Sequence, residues 1–225
     1  MNITWKKILT PCTFLSKCLR LHCQQKSGLR GKKLLKPSTS ELNRVFWALM
    51  EEGSATRAHF HTWWALRNLA LPDHLDTMNN YEYVDFFHVS NSGNYKLFFV
   101  ALSKIYDRDN RTAGISKLKE ELSKAGHSDV ADEVSRRVGA HKKLIRKVLN
   151  IRNQSISHNQ ADMPRVKVYK INDVTPDEIR ELIDVTCETI NYVSNALGQS
   201  NFISGPERYE KAVLKMLETL DRGQT

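Results

Sequence analysis

Residues 151–159 read IRNQSISHN, and two of them carry side chains suited to acid–base work on an anion. The His158 imidazole takes up and gives back a proton near neutral pH. The Arg152 guanidinium stays charged and offers a planar fork of donors that fits two oxygens at once. Asn153 adds a neutral donor and acceptor beside them. The same stretch also reads as an ordinary helix end. A histidine there complements the helix dipole, and an arginine can run its charged head out to solvent.

The helix that delivers these residues bears on the choice. One long helix is expected from Ser128 to about Ser157, with Gly139 tolerated inside it at roughly 1 kcal/mol. At about 100° per residue, Val134, Val138, His141, Ile145, Leu149 and Ile156 form one apolar stripe. Arg152 falls about 20° from Ile145, in the middle of that stripe. An unpaired buried guanidinium is very costly. Arg152 therefore meets a carboxylate inside the protein, snorkels out, or faces a cleft that takes an anion. His158 lies about 120° round from Arg152 and about 9 Å along the axis. The two share a site only if the helix loosens near Ser155–Ser157, or if two helices bring their ends to one cleft.

The flank of this helix is basic. Arg136, Arg137, Lys142, Lys143, Arg146, Lys147 and Arg152 occur between 136 and 152 with no acidic residue among them. Such a face attracts polyanions, or is a solvated surface balanced by Glu120, Glu121 and Glu133. Upstream, DRDNRTAG at 107–114 is a polar connection rich in turn formers. Its Asp107 and Asp109 read as caps for the next helix, and as candidate acidic partners of Arg152.

The elements around these residues are helical. Ser38 and Glu41 have capping-box spacing just after Pro37. A long amphipathic helix should follow over about 39–70, stopped by Pro72, with Trp63 and Trp64 in the core. A short helix near 80–88, a buried one in NYKLFFVALSKIYD at 94–107 and an amphipathic one at 115–126, ended by Gly126, come next. Residues 164–174 alternate and are β-prone, too little for a sheet. Thr175-Pro176-Asp177-Glu178 is a helix start, running to Gly198, and a last helix covers about 206–221. Five or six helices make a single all-α bundle.

Composition places limits. The chain has 225 residues, 40% hydrophobic and 26% charged, which suits one folded domain. The net charge of +9 is uneven. Of the 34 Lys and Arg, nine fall within residues 1–40, leaving 25 to balance the 25 Asp and Glu. Residues 1–37 are thus expected to be a basic, poorly ordered extension, and 38–222 the domain. The extension reads as a targeting segment, a nucleic-acid-binding arm, or residues upstream of the true start. No apolar run reaches the roughly 18 residues of a membrane span. Cys12, Cys18, Cys23 and Cys187 form no CxxC pair, and Cys18, His22 and Cys23 match no common zinc spacing. Free thiols in a reducing cytoplasm, no metal and no cofactor are expected.

The segment Arg152-Asn153-x4-His158 resembles the signature of the HEPN superfamily: an arginine, a polar residue, then a histidine four to six positions on. The stretch LFFVALSKIYDRDNRTAGISKLKEEL at 97–122 and the Trp-rich first helix resemble the AbiU-like branch, found in bacterial abortive-infection proteins. The resemblance covers about 40–220. It implies a small all-α bundle and a metal-independent endoribonuclease, in which two protomers pair and both Arg–His motifs line one cleft. Arg152, Asn153 and His158 are then catalytic. His158 moves the proton in attack by the RNA 2′-OH, Arg152 holds the phosphorane charge, and Asn153 orients the phosphate or the histidine. Arg136, Arg137, Lys142, Lys143, Arg146 and Lys147 are candidate RNA contacts, and Asp107 and Asp109 candidate supports. The implied partners are RNA, a second copy of the chain, and an antitoxin or defence protein. A non-catalytic HEPN module that binds RNA, nucleotide or a protein stands beside this reading. So does a purely structural bundle in which Arg152 is salt-bridged inside the monomer.

Overall fold

A computed structural model describes residues 40–109, 111–157 and 172–223. The basic extension, the Ser38 half of the first capping box, most of the β-prone stretch and His158 lie outside the described residues. Those described form eight α-helices and no strand: α1 Ser40–Trp64, α2 Leu71–Asn79, α3 Val84–Ile105, α4 Ile115–Lys124, α5 Ser128–Gly139, α6 Lys142–Ile151, α7 Pro176–Ala196 and α8 Glu207–Gly223. The chain is all-α, with more helices than the sequence suggests.

Several boundaries reflect local chemistry. At the start of α7 the Thr175 hydroxyl accepts from the Glu178 N–H at 3.2 Å, while the Glu178 carboxylate accepts from the Thr175 N–H at 2.8 Å. Pro176 occupies the first helical position, where its missing N–H costs nothing. Gly126 and Gly198 end α4 and α7 with φ of +85° and +68°, conformations that side chains disfavour.

Other boundaries differ from expectation. The first helix ends at Trp64, and Ala65–Leu69 continue as a wide π-helical turn. Pro72 lies in the first turn of α2, so it opens a helix where it was expected to close one. The two segments expected near 80–88 and 94–107 merge into the single 22-residue α3. The expected helix from 128 to 157 breaks at Ala140–His141, where His141 takes φ −102° and ψ 13°. The break has a packing reason: α5 lies against α4 and α7, whereas α6 lies against α3 and α7. A straight rod would not reach both sets of partners.

α1 is the central strut, contacting α3, α4, α7 and α8. Its buried Leu42, Val45, Phe46 and Leu49 recur at helical spacing. They join Phe98, Phe99, Leu102 and Ile105 of α3, Leu182, Ile183 and Ile190 of α7, and Val148 and Ile151 of α6 in one core. Phe60, Trp63, Tyr95 and Phe98 pack as tilted and edge-on rings 5.3–5.7 Å apart, each such pair adding about 0.5–1.5 kcal/mol beyond burial. Trp63 and Trp64 are half-buried against this core. Gly53 of α1 admits Ile203 and Ile190, whose methyls stand 2.6 and 2.9 Å from where a Cβ would be. Cys187 is buried beside the Gly53 carbonyl, and burial pushes its thiol up to about 12. A second, smaller core joins Ala65, Leu66, Ala70, Met78 and Phe87 to Val213 and Leu217 of α8.

Candidate functional site

α6 buries Ile145, Val148 and Ile151, one helical turn apart. Immediately after Ile151 the helix widens, and Arg152–Ser157 form a π-helical turn. Widened turns of this type place i→i+5 bonds in the ladder and recur at functional sites. This turn packs against α3, and its Ile156 is half-buried on the main core. The face counting that sets Arg152 and His158 about 120° apart assumes a regular helix. From Arg152 to Ser157 the helix is widened instead, and His158 lies outside the described residues.

Arg152 is half-buried. Its Nε is enclosed with no hydrogen-bond partner, and no carboxylate of the described residues pairs with it. Arg57 Nε, and Nε and Nη2 of Arg180, are likewise enclosed without a partner. Those two arginines have carboxylates beside them, Asp184 and Asp177, and Arg57 of α1 marks the contrast most clearly. It is the arginine paired in the interior, donating from Nη2 to Asp184 at 2.8 Å and from Nη1 to the Ser204 carbonyl at 3.0 Å. Asn153 is exposed. The structure thus places Arg152 and Asn153 on the loosened turn, and His158 lies outside the described residues.

The candidate supports serve the turn that holds them. The Asp107 carboxylate accepts the Asp109 N–H at 3.0 Å. Asp109 accepts the Arg111 N–H at 2.9 Å and takes the Arg111 guanidinium with both oxygens, which holds its carboxyl below the usual range. Neither aspartate meets Arg152. Neither caps α4, whose N-cap is Gly114 with no side-chain bond. Gly114 is required where it is: a Cβ would stand 2.7 Å from the Asp107 carbonyl oxygen.

The basic residues divide into two groups. Arg136 and Arg137 both donate to Glu133 at 2.7 Å, and the pair of guanidiniums pulls the Glu133 carboxyl down to about 2. Arg137 also stacks over Tyr192, 4.6 Å from the ring centre. Lys147 donates to the Asp173 carbonyl at 2.8 Å. Lys142, Lys143 and Arg146 are exposed and unpaired among the described residues. Glu120 and Glu121, expected to balance this face, instead hold Lys117 and Lys124. Arg108 and Lys119 are two further cations without a carboxylate partner among the described residues. Sequence reasoning passed them over, because their proximity to Lys142 arises only from how α4, α5 and α6 pack.

No group of three or more potential metal ligands occurs among the described residues, and no described helix is long and apolar enough to cross a membrane. A family model described as AbiU2, within the HEPN group, matches residues 40–215. No curated protein and no solved structure matches the chain.

Proposed function

The chain belongs to the AbiU2 family of HEPN domains, and on that premise we propose that it is a metal-independent endoribonuclease of bacterial phage defence or toxin–antitoxin type. It acts in the cytoplasm as a homodimer, with Arg152, Asn153 and His158 as its reactive group. The observation that carries the reading is Arg152 itself. Its guanidinium is half-buried with an enclosed, unsatisfied Nε, and unlike Arg57 and Arg180, which also have orphaned nitrogens, it has no carboxylate partner among the described residues. It is suited to an anion arriving from outside.

In the proposed reaction, the RNA 2′-OH loses its proton to His158 and attacks the adjacent phosphorus. The 5′-oxygen of the next nucleotide leaves with a proton. Charge grows on the non-bridging oxygens as the phosphorane forms. Arg152 meets that charge with two parallel N–H donors. Asn153, exposed on the same turn, orients the phosphate or the imidazole. Two copies of the turn at a dimer seam supply the arginine of one protomer and the histidine of either.

The test is cleavage of total RNA by purified protein in EDTA, with wild type beside His158→Ala and circular dichroism to show that both are folded. Cleavage by the wild type alone supports a metal-independent nuclease that uses His158. Equal cleavage by both rejects it. Tight RNA binding without cleavage in either favours a non-catalytic binding module.

A further inference from the structure

Beside the start of α6 lies a half-open cavity of about 330 Å³, formed where the end of α3 and its following loop meet α4, α5 and α6. Arg108, Lys119 and Lys142 stand in its walls, and no acidic residue lines it. Several nearby carboxylates are committed elsewhere: Asp109 to Arg111, Glu120 and Glu121 to Lys117 and Lys124, and Glu133 to Arg136 and Arg137. Asp107 accepts the Asp109 N–H, and Glu181 lies 3.8 Å from His141; neither lines the cavity. Three cations therefore converge on one concavity that no acidic residue among the described ones lines.

The backbone adds to the same field. α4 and α6 both begin at the cavity, through Ile115 and Ser116 and through Lys142. Neither helix has an acidic residue in its first turn or a side-chain cap, so their positive dipole ends add to the field. One acid, Glu181, lies 3.8 Å from the α6 N-cap His141. The floor is different. Ile115, Val138 and Ile145 give it an apolar surface. A cavity with cations in its walls and an apolar floor matches a phosphate joined to a sugar better than a bare ion.

Arg108 is carried on a braced loop. The Tyr106 hydroxyl shares a 2.5 Å hydrogen bond with Thr186 of α7, and burial raises its phenol well above the usual range. On the other side of Arg108, the Asp107 turn and the close pass of Gly114 hold the loop in place.

We propose that this cavity is a subsite for one nucleotide of an RNA strand, with its phosphate held by Arg108, Lys119 and Lys142 and its ribose against Ile115, Val138 and Ile145. The assignment rests on the reading of the chain as an RNA-binding nuclease. Lys142 and Arg152 bracket α6, so the subsite lies about 15 Å along the helix from the reactive arginine. At about 3.4 Å per stacked nucleotide the bound strand extends four or five nucleotides from the scissile phosphate.

The test is binding of a short 2′-O-methyl RNA, which lacks the attacking hydroxyl, so that affinity is read without turnover. Two variants are compared with wild type, each checked for folding by circular dichroism. The triple variant Arg108→Ala, Lys119→Ala, Lys142→Ala removes the charges. Gly139→Phe keeps them and fills the cavity from its wall, where a Cβ meets nothing within 4 Å. Both should weaken binding about tenfold or more, and the triple variant should flatten the slope of log K against log salt by about 2. Unchanged affinity in both overturns the subsite. So does loss in the triple variant alone, which would mean diffuse surface attraction. Loss of binding of a nucleoside monophosphate with RNA affinity unchanged also overturns it, in favour of a free-nucleotide site. Wild type that cleaves no RNA, with RNA affinity lost in both variants, keeps the subsite and removes the nuclease reading.

Discussion

Arg57 of α1 and Asp184 of α7 meet at 2.8 Å with very different exposure, the guanidinium side chain 7% accessible and the carboxylate 37%. Removing the acid leaves a charge inside the protein with only the Ser204 carbonyl to hold it. We expect Asp184→Ala to lower stability by about 3 kcal/mol. Asp184→Ala combined with Arg57→Met should recover most of that loss, because the buried charge goes with its partner. Urea unfolding of the three proteins checks both statements.

Arg152 should behave in the opposite way. With no ion pair to break among the described residues, Arg152→Ala should cost about 1 kcal/mol or less. RNA cleavage should fall by about 10²–10³-fold. Arg152→Lys should fold as well as wild type yet recover little activity, since an ammonium lacks the bidentate fork. A stability loss in Arg152→Ala as large as that of Asp184→Ala would mark the residue as structural.

The pH dependence of stability should carry the imprint of His61. Its ring is buried, with Nδ1 2.8 Å from Glu210 Oε1 and Nε2 unpartnered. Burial lowers its proton affinity below the ordinary 6.5, the Glu210 bond and the Asp184 charge raise it in part, and Arg180 lowers it further. The unfolded chain therefore holds this proton more readily than the folded one. The contribution is complete above about pH 6.5 and is lost as pH falls below it. Urea midpoints should drop from about pH 7 to about pH 5.5 in wild type and drop less in His61→Gln. Equal slopes in the two proteins would assign the acid sensitivity to other groups.

Two glycines should respond to alanine with opposite signs. At Gly114 the new Cβ would press on the Asp107 carbonyl at 2.7 Å, and on the Ile105 carbonyl at 3.2 Å. Backbone cannot move aside as a side chain does, so a loss of about 1–3 kcal/mol is expected. At Gly139 the space is open, and Gly139→Ala should be neutral or stabilising by up to about 1 kcal/mol. Thermal melts of the pair decide this.

Much of the fold was legible in the sequence where the signal is local. The capping box at Thr175 and Glu178, the closing glycines 126 and 198, and the core spacing of Leu42, Val45, Phe46 and Leu49 depend only on neighbours in the chain. The break at Ala140–His141 was not legible, because it answers to packing of α5 and α6 against different partners. Pro72 misled for a related reason, since a proline stops one helix or starts another depending on what precedes it. At the candidate site, the placement of Arg152 within the apolar stripe was visible in the periodicity. The loosening of its turn, and which basic residues are already paired, required the structure. Arg136 and Lys142 look alike in sequence, but one is neutralised by Glu133 and the other is not.

The histidine links of α8 also bear on the order of assembly. His61 bonds to Glu210 across 149 residues, and His74 to Asp221 across 147. The smaller core has Val213 and Leu217 on one side, and Ala65, Leu66 and Met78 on the other. During synthesis on the ribosome, the far end of α1 and all of α2 emerge long before the helix that covers them. Their apolar faces stay open through most of translation, a period when chaperones have access to them. Closure of this part of the bundle therefore waits for α8 to emerge.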